Sequence, residues 1–163
     1  MTVSPARTSI ADAPPILLRE NLDNVAVVTL NRPEARNSLS LAMLTALGES
    51  FAAIAADRKL RAVVLAANGS AFCAGHDLKE VTARRADPDR GRAFFTEIMR
   101  TCSNVVLEIM RLPQPVIAAV QGTATAAGCQ IVASCDLAVA SSTATFATPG
   151  VATRAGHDSP LDP

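Results

Sequence analysis

The chain has no tryptophan and no tyrosine, and aromatic residues make up only 3% of it. Aliphatic side chains and alanine must therefore fill any core. Neither sign of charge dominates, because 15 lysines and arginines face 15 aspartates and glutamates. The basic excess or stripe of a nucleic-acid binder is missing. No apolar run is long enough to span a bilayer. The first 15 residues hold Pro, Ser, Ala and one Arg but no apolar h-region, so they do not read as a secretory signal. Asp12 and that single arginine argue mildly against a mitochondrial presequence, without deciding it. Cysteines are few, namely Cys73, Cys102, Cys129 and Cys135, and none forms a C-x-x-C pair. They read as free thiols in a reducing compartment, with no metal site. That compartment is the cytoplasm, or the mitochondrion in a eukaryote.

The 163 residues suit one α/β domain with a real core. Residues 1–15 read as a loose tail. Residues 16–20 and 25–31 read as strands joined by an Asn- and Asp-rich turn. Residues 31–37 form a loop, after which Ser38 or Ser40 caps a helix reaching about Asp57. Its apolar positions Leu44, Leu47, Phe51 and Ile54 recur at spacings of three and four, so one face is buried. The continuous apolar runs 62–67 and 116–120 predict strands covered on both faces. A short helix begins near Leu78, and the charged segment 82–90 reads as mobile. Asp87 and Pro88 read as the cap and first turn of a long helix. Phe94, Ile98, Cys102, Val105 and Ile109 line its buried face up to Arg111. Residues 126–134 predict a short helix, and residues 136–140 and 145–147 two more strands. No G-x-G-x-x-G follows the first strand, which sets aside a dinucleotide-binding oxidoreductase.

Two segments pair a short apolar run with glycine and alanine, where a backbone can approach a ligand closely. One is Ser70 to Lys79, containing Ala74-Gly75-His76-Asp77-Leu78-Lys79. The other is Val120 to Gln130, containing Thr125-Ala126-Ala127-Gly128-Cys129-Gln130. Each can aim a backbone N–H at one oxygen, as an oxyanion hole for a thioester carbonyl requires. The plainer reading is that Gly75 and Gly128 only make tight strand-to-helix turns.

Four motifs occur in order: Asn31-Arg32-Pro33 ahead of Asn37-Ser38-Leu39; Phe72-x-Ala74-Gly75-His76-Asp77-Leu78-Lys79; Pro115-Val116-Ile117-Ala118-Ala119-Val120-Gln121-Gly122 with Gly128-Cys129; and Cys135-Asp136-Leu137-Ala138-Val139-Ala140. In this order they resemble the crotonase superfamily, the enoyl-CoA hydratase/isomerase family. The match runs from about Ile16 to Val151 and looks most like the branch of enoyl-CoA hydratase domain-containing proteins. The resemblance implies a crotonase-like spiral of ββα repeats, acyl-CoA thioesters as ligands, and homotrimers or hexamers. Coenzyme A enters only as part of the substrate, and no separate cofactor is implied. The family pattern gives the oxyanion N–H groups to His76 and Ala127, and leaves the His76 imidazole a spectator. It runs the loop at Ala35 and Arg36 beside the CoA adenine, and puts Ala74, Asp77, Leu78 and Lys79 at the ligand. Arg36 and Lys79 could meet its phosphates or simply be solvated. Asp77 also reads as a helix cap, and Cys129 as a small buried hydrophobe.

Two departures from the pattern stand out. The family's two catalytic glutamates fall on Gln130 and Gly150. An amide holds water or ligand but accepts no proton as a base, and glycine offers no side chain. The resemblance also stops near Val151. Residues 152–163 read as an unrelated, disordered tail, and a truncated product, its C-terminal helical part missing, explains this simply. Helix faces that have lost their partners would then be exposed.

Overall fold

The computed structural model describes residues 14–149. The expectations for residues 1–13 and for 150–163, Gly150 included, lie outside them. Strand β1 (Leu17–Leu22) turns at Asp23, which takes a positive φ, into β2 (Val25–Leu30). The turn is two residues long, because Asn21 and Leu22 belong to β1 and Leu22 pairs with Val25. Pro15, expected in a loose tail, is tied down where its carbonyl accepts from Asn31 Nδ2 at 2.8 Å.

Helix α1 (Leu41–Ala56) is capped by Ser40, whose Oγ accepts from the Met43 N–H at 3.2 Å. Its expected stripe of Leu44, Leu47, Phe51 and Ile54 is fully buried. Then follow β3 (Ala62–Ala67), β4 (Ala71–Cys73), α2 (Leu78–Ala83) and the long α3 (Arg92–Arg111). The chain continues through β5 (Val116–Val120), β6 (Thr123–Thr125), α4 (Ala127–Ser134), β7 (Leu137–Ala140) and β8 (Phe146–Ala147).

The larger sheet has the order β1-β2-β3-β5-β7, antiparallel only at β1–β2. The smaller sheet is β4-β6-β8, all parallel. From β3 on, each strand of the large sheet is followed by one in the small sheet and, for β3 and β5, by helix. This is the expected crotonase-like spiral of ββα repeats. A parallel bridge between Leu39 and His76 carries the pairing of the small layer one step further. The core is a single cluster in which α1 and α3 cover one face of the large sheet through residues such as Val28, Leu65, Ala118, Phe51 and Ile98.

Several local expectations need correction. In β3 and β5 one face is sealed, but the alternate residues are only half-buried, so neither strand is fully covered on both sides. Strands β4 and β6 were not foreseen. The charged stretch after Leu78 is ordered as α2 and a 3-10 turn over Arg84–Ala86, with the Arg84 guanidinium 5.0 Å from the centre of the Phe94 ring. The N-cap of α3 is Gly91, and the carboxylate that serves its first turn is that of Asp89 rather than Asp87. The Asp89 carboxylate accepts from the N–H groups of Gly91 at 2.9 Å and Ala93 at 2.7 Å. Gly91, at φ 79°, swings the chain so that Asp89 faces the first turn.

The expected exposure of apolar surface is present on α3 and extends beyond it. Phe95 and Met110 of α3, Leu78 at the start of α2, and Leu137, Val139 and Phe146 on β7 and β8 all face outward. All four cysteines are free, and Cys129 is half-buried rather than buried. No described helix is long and apolar enough to cross a membrane, and no described cluster of His, Cys, Asp or Glu could hold a metal.

Candidate active site

The register of the small sheet brings the two N–H segments together. Strand β4 pairs with β6 through Ala71 with Thr123 and Cys73 with Ala124, so their downstream ends emerge side by side. After β4 the chain bends at Gly75, at φ +87°. The Leu39 N–H then donates to the Gly75 carbonyl at 2.8 Å, and the Asp77 N–H donates to the Leu39 carbonyl at 3.0 Å. Successive N–H groups of an extended segment face opposite sides. With its neighbours turned to Leu39, the His76 N–H faces away from it and has no hydrogen-bond partner among the described residues.

On the other side, Ala126 joins β6 to α4 at φ 51°, ψ −122°, a conformation uncommon for a residue with a Cβ. Its N–H is held by the Ala147 carbonyl at 2.9 Å, and its carbonyl by the Gln130 N–H at 3.1 Å. Ala127 opens the helix. Its N–H is one of the first-turn donors that a helix cannot satisfy internally, and it too has no partner among the described residues.

The approach is close. A Cβ on Gly75 would lie 3.4 Å from the Ala127 nitrogen and 3.0 Å from the Ala126 Cβ. Standard bond lengths then put the His76 and Ala127 nitrogens no more than about 7 Å apart. Gly128 presses the first turn of α4 onto β4: a Cβ there would sit 2.3 Å from the Cys73 carbonyl oxygen.

Around this point, the Ala74 N–H donates to the Arg36 carbonyl at 3.1 Å, which places the Ala35–Arg36 loop beside the Gly75 segment. The Arg36, Leu78 and Lys79 side chains are exposed there. Gln130 lies three residues along α4 from Ala127, hence on the same face, and is exposed. Asp136 is structural: its carboxylate accepts from the Val116 N–H at 2.7 Å.

The Asp77 carboxylate is fully engaged. It caps α2 by accepting from the N–H groups of Lys79 at 3.2 Å and Glu80 at 3.3 Å, and pairs with Arg32 Nη2 at 3.1 Å. Burial works against its ionisation, but the Glu80 N–H and the Arg32 guanidinium outweigh that and hold its carboxyl below the ordinary range. Two N–H groups, from Ala93 and Gly91, do the same for the exposed Asp89. In both cases the unfolded chain takes up protons first as the pH falls. The contribution is therefore whole above about pH 4 and is lost as the pH drops through the depressed folded values. Urea midpoints are expected to fall steadily below about pH 4, and more shallowly in Asp77→Asn. Equal slopes would contradict the assignment of Asp77.

Sequence reasoning missed the frame that holds the loop. Asn37, fully buried, donates from Nδ2 to the carbonyls of Asn68 at 2.8 Å and Ala71 at 2.9 Å, and accepts from the Arg32 N–H at 2.8 Å. Glu80 Oε2 accepts from the Leu41 N–H at 3.0 Å, joining α2 to the start of α1. Asn37 and Arg32 stand in the first motif, which signalled the family but not these bonds. A cavity of about 280 Å³ between α1 and α3 is lined by Phe51, Leu107, Glu108 and Arg111 among others, and by none of the candidate residues.

The enoyl-CoA hydratase/isomerase family pattern matches residues 20–156. Human enoyl-CoA hydratase domain-containing protein 3, mitochondrial, is 47% identical over 130 residues, covering 80% of this chain and 41% of that protein. The crystal structure of an enoyl-CoA hydratase from Mycobacterium smegmatis superposes with a TM-score of 0.78 at 55% identity, over 85% of this chain and 52% of that one. The crystal structure of human enoyl-CoA hydratase domain-containing protein 3 gives 0.77 at 43% identity, over 86% and 53%. The chain thus spans less than half the length of the vertebrate relatives it matches.

Proposed function

Because the chain belongs to the enoyl-CoA hydratase/isomerase family, we propose that it binds acyl-CoA thioesters, with the carbonyl oxygen between the N–H groups of His76 and Ala127. The supporting observation is that these two donors lie within about 7 Å of each other and that neither has a partner among the described residues. As a thioester becomes an enolate, negative charge builds on that oxygen. Two fixed donors stabilise it without reorganising, and losing one such donor typically raises the barrier by about 3 kcal/mol. Ala127 adds the dipole of α4, whose N-terminal end favours an anion. In this reading the exposed Arg36 and Lys79 meet the phosphates of coenzyme A. A homotrimer or hexamer, and a cytoplasmic or mitochondrial location, are the family's corresponding expectations.

Water addition needs a base and an acid near the bound enoyl group. Gln130 stands on the same face of α4 as Ala127 but carries an amide, and the second family position is Gly150. We therefore infer slow or absent hydration by the two-glutamate route. Crotonyl-CoA turnover is expected to be at least about a hundredfold below a hydratase that has both acids, in keeping with the loss of acid–base catalysis. The Gln130→Glu, Gly150→Glu double variant should raise it. Hydration by the unmodified chain at an ordinary hydratase rate would refute this reading of the two positions. The same two residues favour a second reading, a module that holds acyl-CoA without converting it or helps a full-length relative assemble. Calorimetric binding of acetyl-CoA without any product would support it.

A further inference from the structure

The His76 side chain has a hydrogen-bonding state that its spectator role leaves unexplained. The ring is half-buried, and Nε2 is closed off from solvent with no partner among the described residues. Nδ1 makes no bond to another described residue and is not among the enclosed atoms, so it is the nitrogen open to solvent or a ligand. The nearest carboxylate in sequence, Asp77, is taken by Arg32 and by the first turn of α2. Burial disfavours the charged imidazolium and lowers the pKa of the ring below its ordinary value, so at neutral pH the ring carries one proton. A buried N–H without an acceptor is rarer and costlier than a buried lone pair without a donor. The single proton therefore belongs on Nδ1. In histidine, Nδ1 is the ring nitrogen closer to the residue's own backbone, so Nδ1–H and the backbone N–H can reach one acceptor group.

We propose that the His76 side chain is a third hydrogen-bond donor to the bound acyl group, delivering Nδ1–H beside the His76 backbone N–H. This rests on the oxyanion reading above. It gives the site a neutral electrophile rather than a base, as suits a site with no carboxylate at Gln130. The donor fits acyl groups that carry or develop negative charge on oxygen, of which an enolised 3-oxoacyl thioester is the simplest case.

The chain has only two histidines, His76 and His157, so nitrogen-15 imidazole resonances can be assigned with a His157→Gln variant. In the free protein near pH 7.5, His76 should be neutral and protonated on Nδ1. A tautomer protonated on Nε2 would overturn the proposal whether or not any ligand binds. Acetoacetyl-CoA should then shift the Nδ1 proton downfield. His76→Ala should weaken acetoacetyl-CoA binding by up to about tenfold, the span of one net hydrogen bond. His76→Asn, whose amide can place a donor near the same position, should recover most of it. Every variant keeps the backbone N–H. Unchanged affinity in His76→Ala with an unmoved Nδ1 proton would sink this inference and leave the oxyanion reading standing. No binding by the unmodified chain would instead sink the oxyanion reading.

Discussion

Gly128→Ala is expected to destabilise the fold by at least about 3 kcal/mol, the upper range for forcing one methyl group into a closed contact. The added Cβ would stand 2.3 Å from the Cys73 carbonyl oxygen and 2.8 Å from the Cys73 Cβ. The oxygen is backbone, locked in the pairing of β4 with β6, so it cannot swing aside as a long side chain would. Relief requires α4 to lift off β4, and that movement also carries the Ala127 N–H away from Gly75. A domain of this kind is stable by roughly 5–15 kcal/mol in total, so the loss is a large fraction. Urea denaturation should show a lower midpoint with an unchanged slope. Wild-type stability in Gly128→Ala would mean that α4 does not sit against β4 as described.

Asn37→Ala is the second large effect, expected at about 3 kcal/mol. The substitution deletes both donors that hold the Asn68 and Ala71 carbonyls and the acceptor of the Arg32 N–H. The pocket is sealed, because Asn37 is fully buried. The groups left behind keep their desolvation penalty and lose their partners. Asn37 also sits at φ 52°, where asparagine is better tolerated than alanine. Asn37→Asp should be no better, since an ionised carboxylate there can accept from Arg32 but donate to neither carbonyl. Stability of Asn37→Ala within about 0.5 kcal/mol of the unmodified chain, the range of ordinary surface substitutions, would contradict this role.

These two positions show what could and could not be read in the sequence. The helices were legible because their apolar residues recur at helical spacing. Phe94, Ile98, Cys102, Val105 and Ile109 form the buried face of α3 as expected, and Leu44, Leu47, Phe51 and Ile54 that of α1. The strands β2, β3 and β5 were legible as apolar runs. Strands β4 and β6 were not, because three residues are too few to display an alternation. Asp89 was missed in favour of Asp87 because both precede the same helix, and the positive φ values of Arg90 and Gly91 decide between them. The Arg32–Asp77 pair and the Asn37 bonds join residues separated by 45, 31 and 34 positions, which no local pattern encodes. The candidate donors His76 and Ala127 came from the two glycine-bearing segments and the family resemblance. Their adjacency follows from the register of β4 against β6, a property of the fold rather than of either segment.

Two amide protons, one on each side of the β4–β6 junction, should report directly on a shared ligand atom. Titrating acetoacetyl-CoA into nitrogen-15-labelled protein should move the His76 and Ala127 amide protons downfield together, with one common saturation curve. Saturation of the protein with both resonances left in place, or with only one of them displaced, would contradict a common oxygen between them.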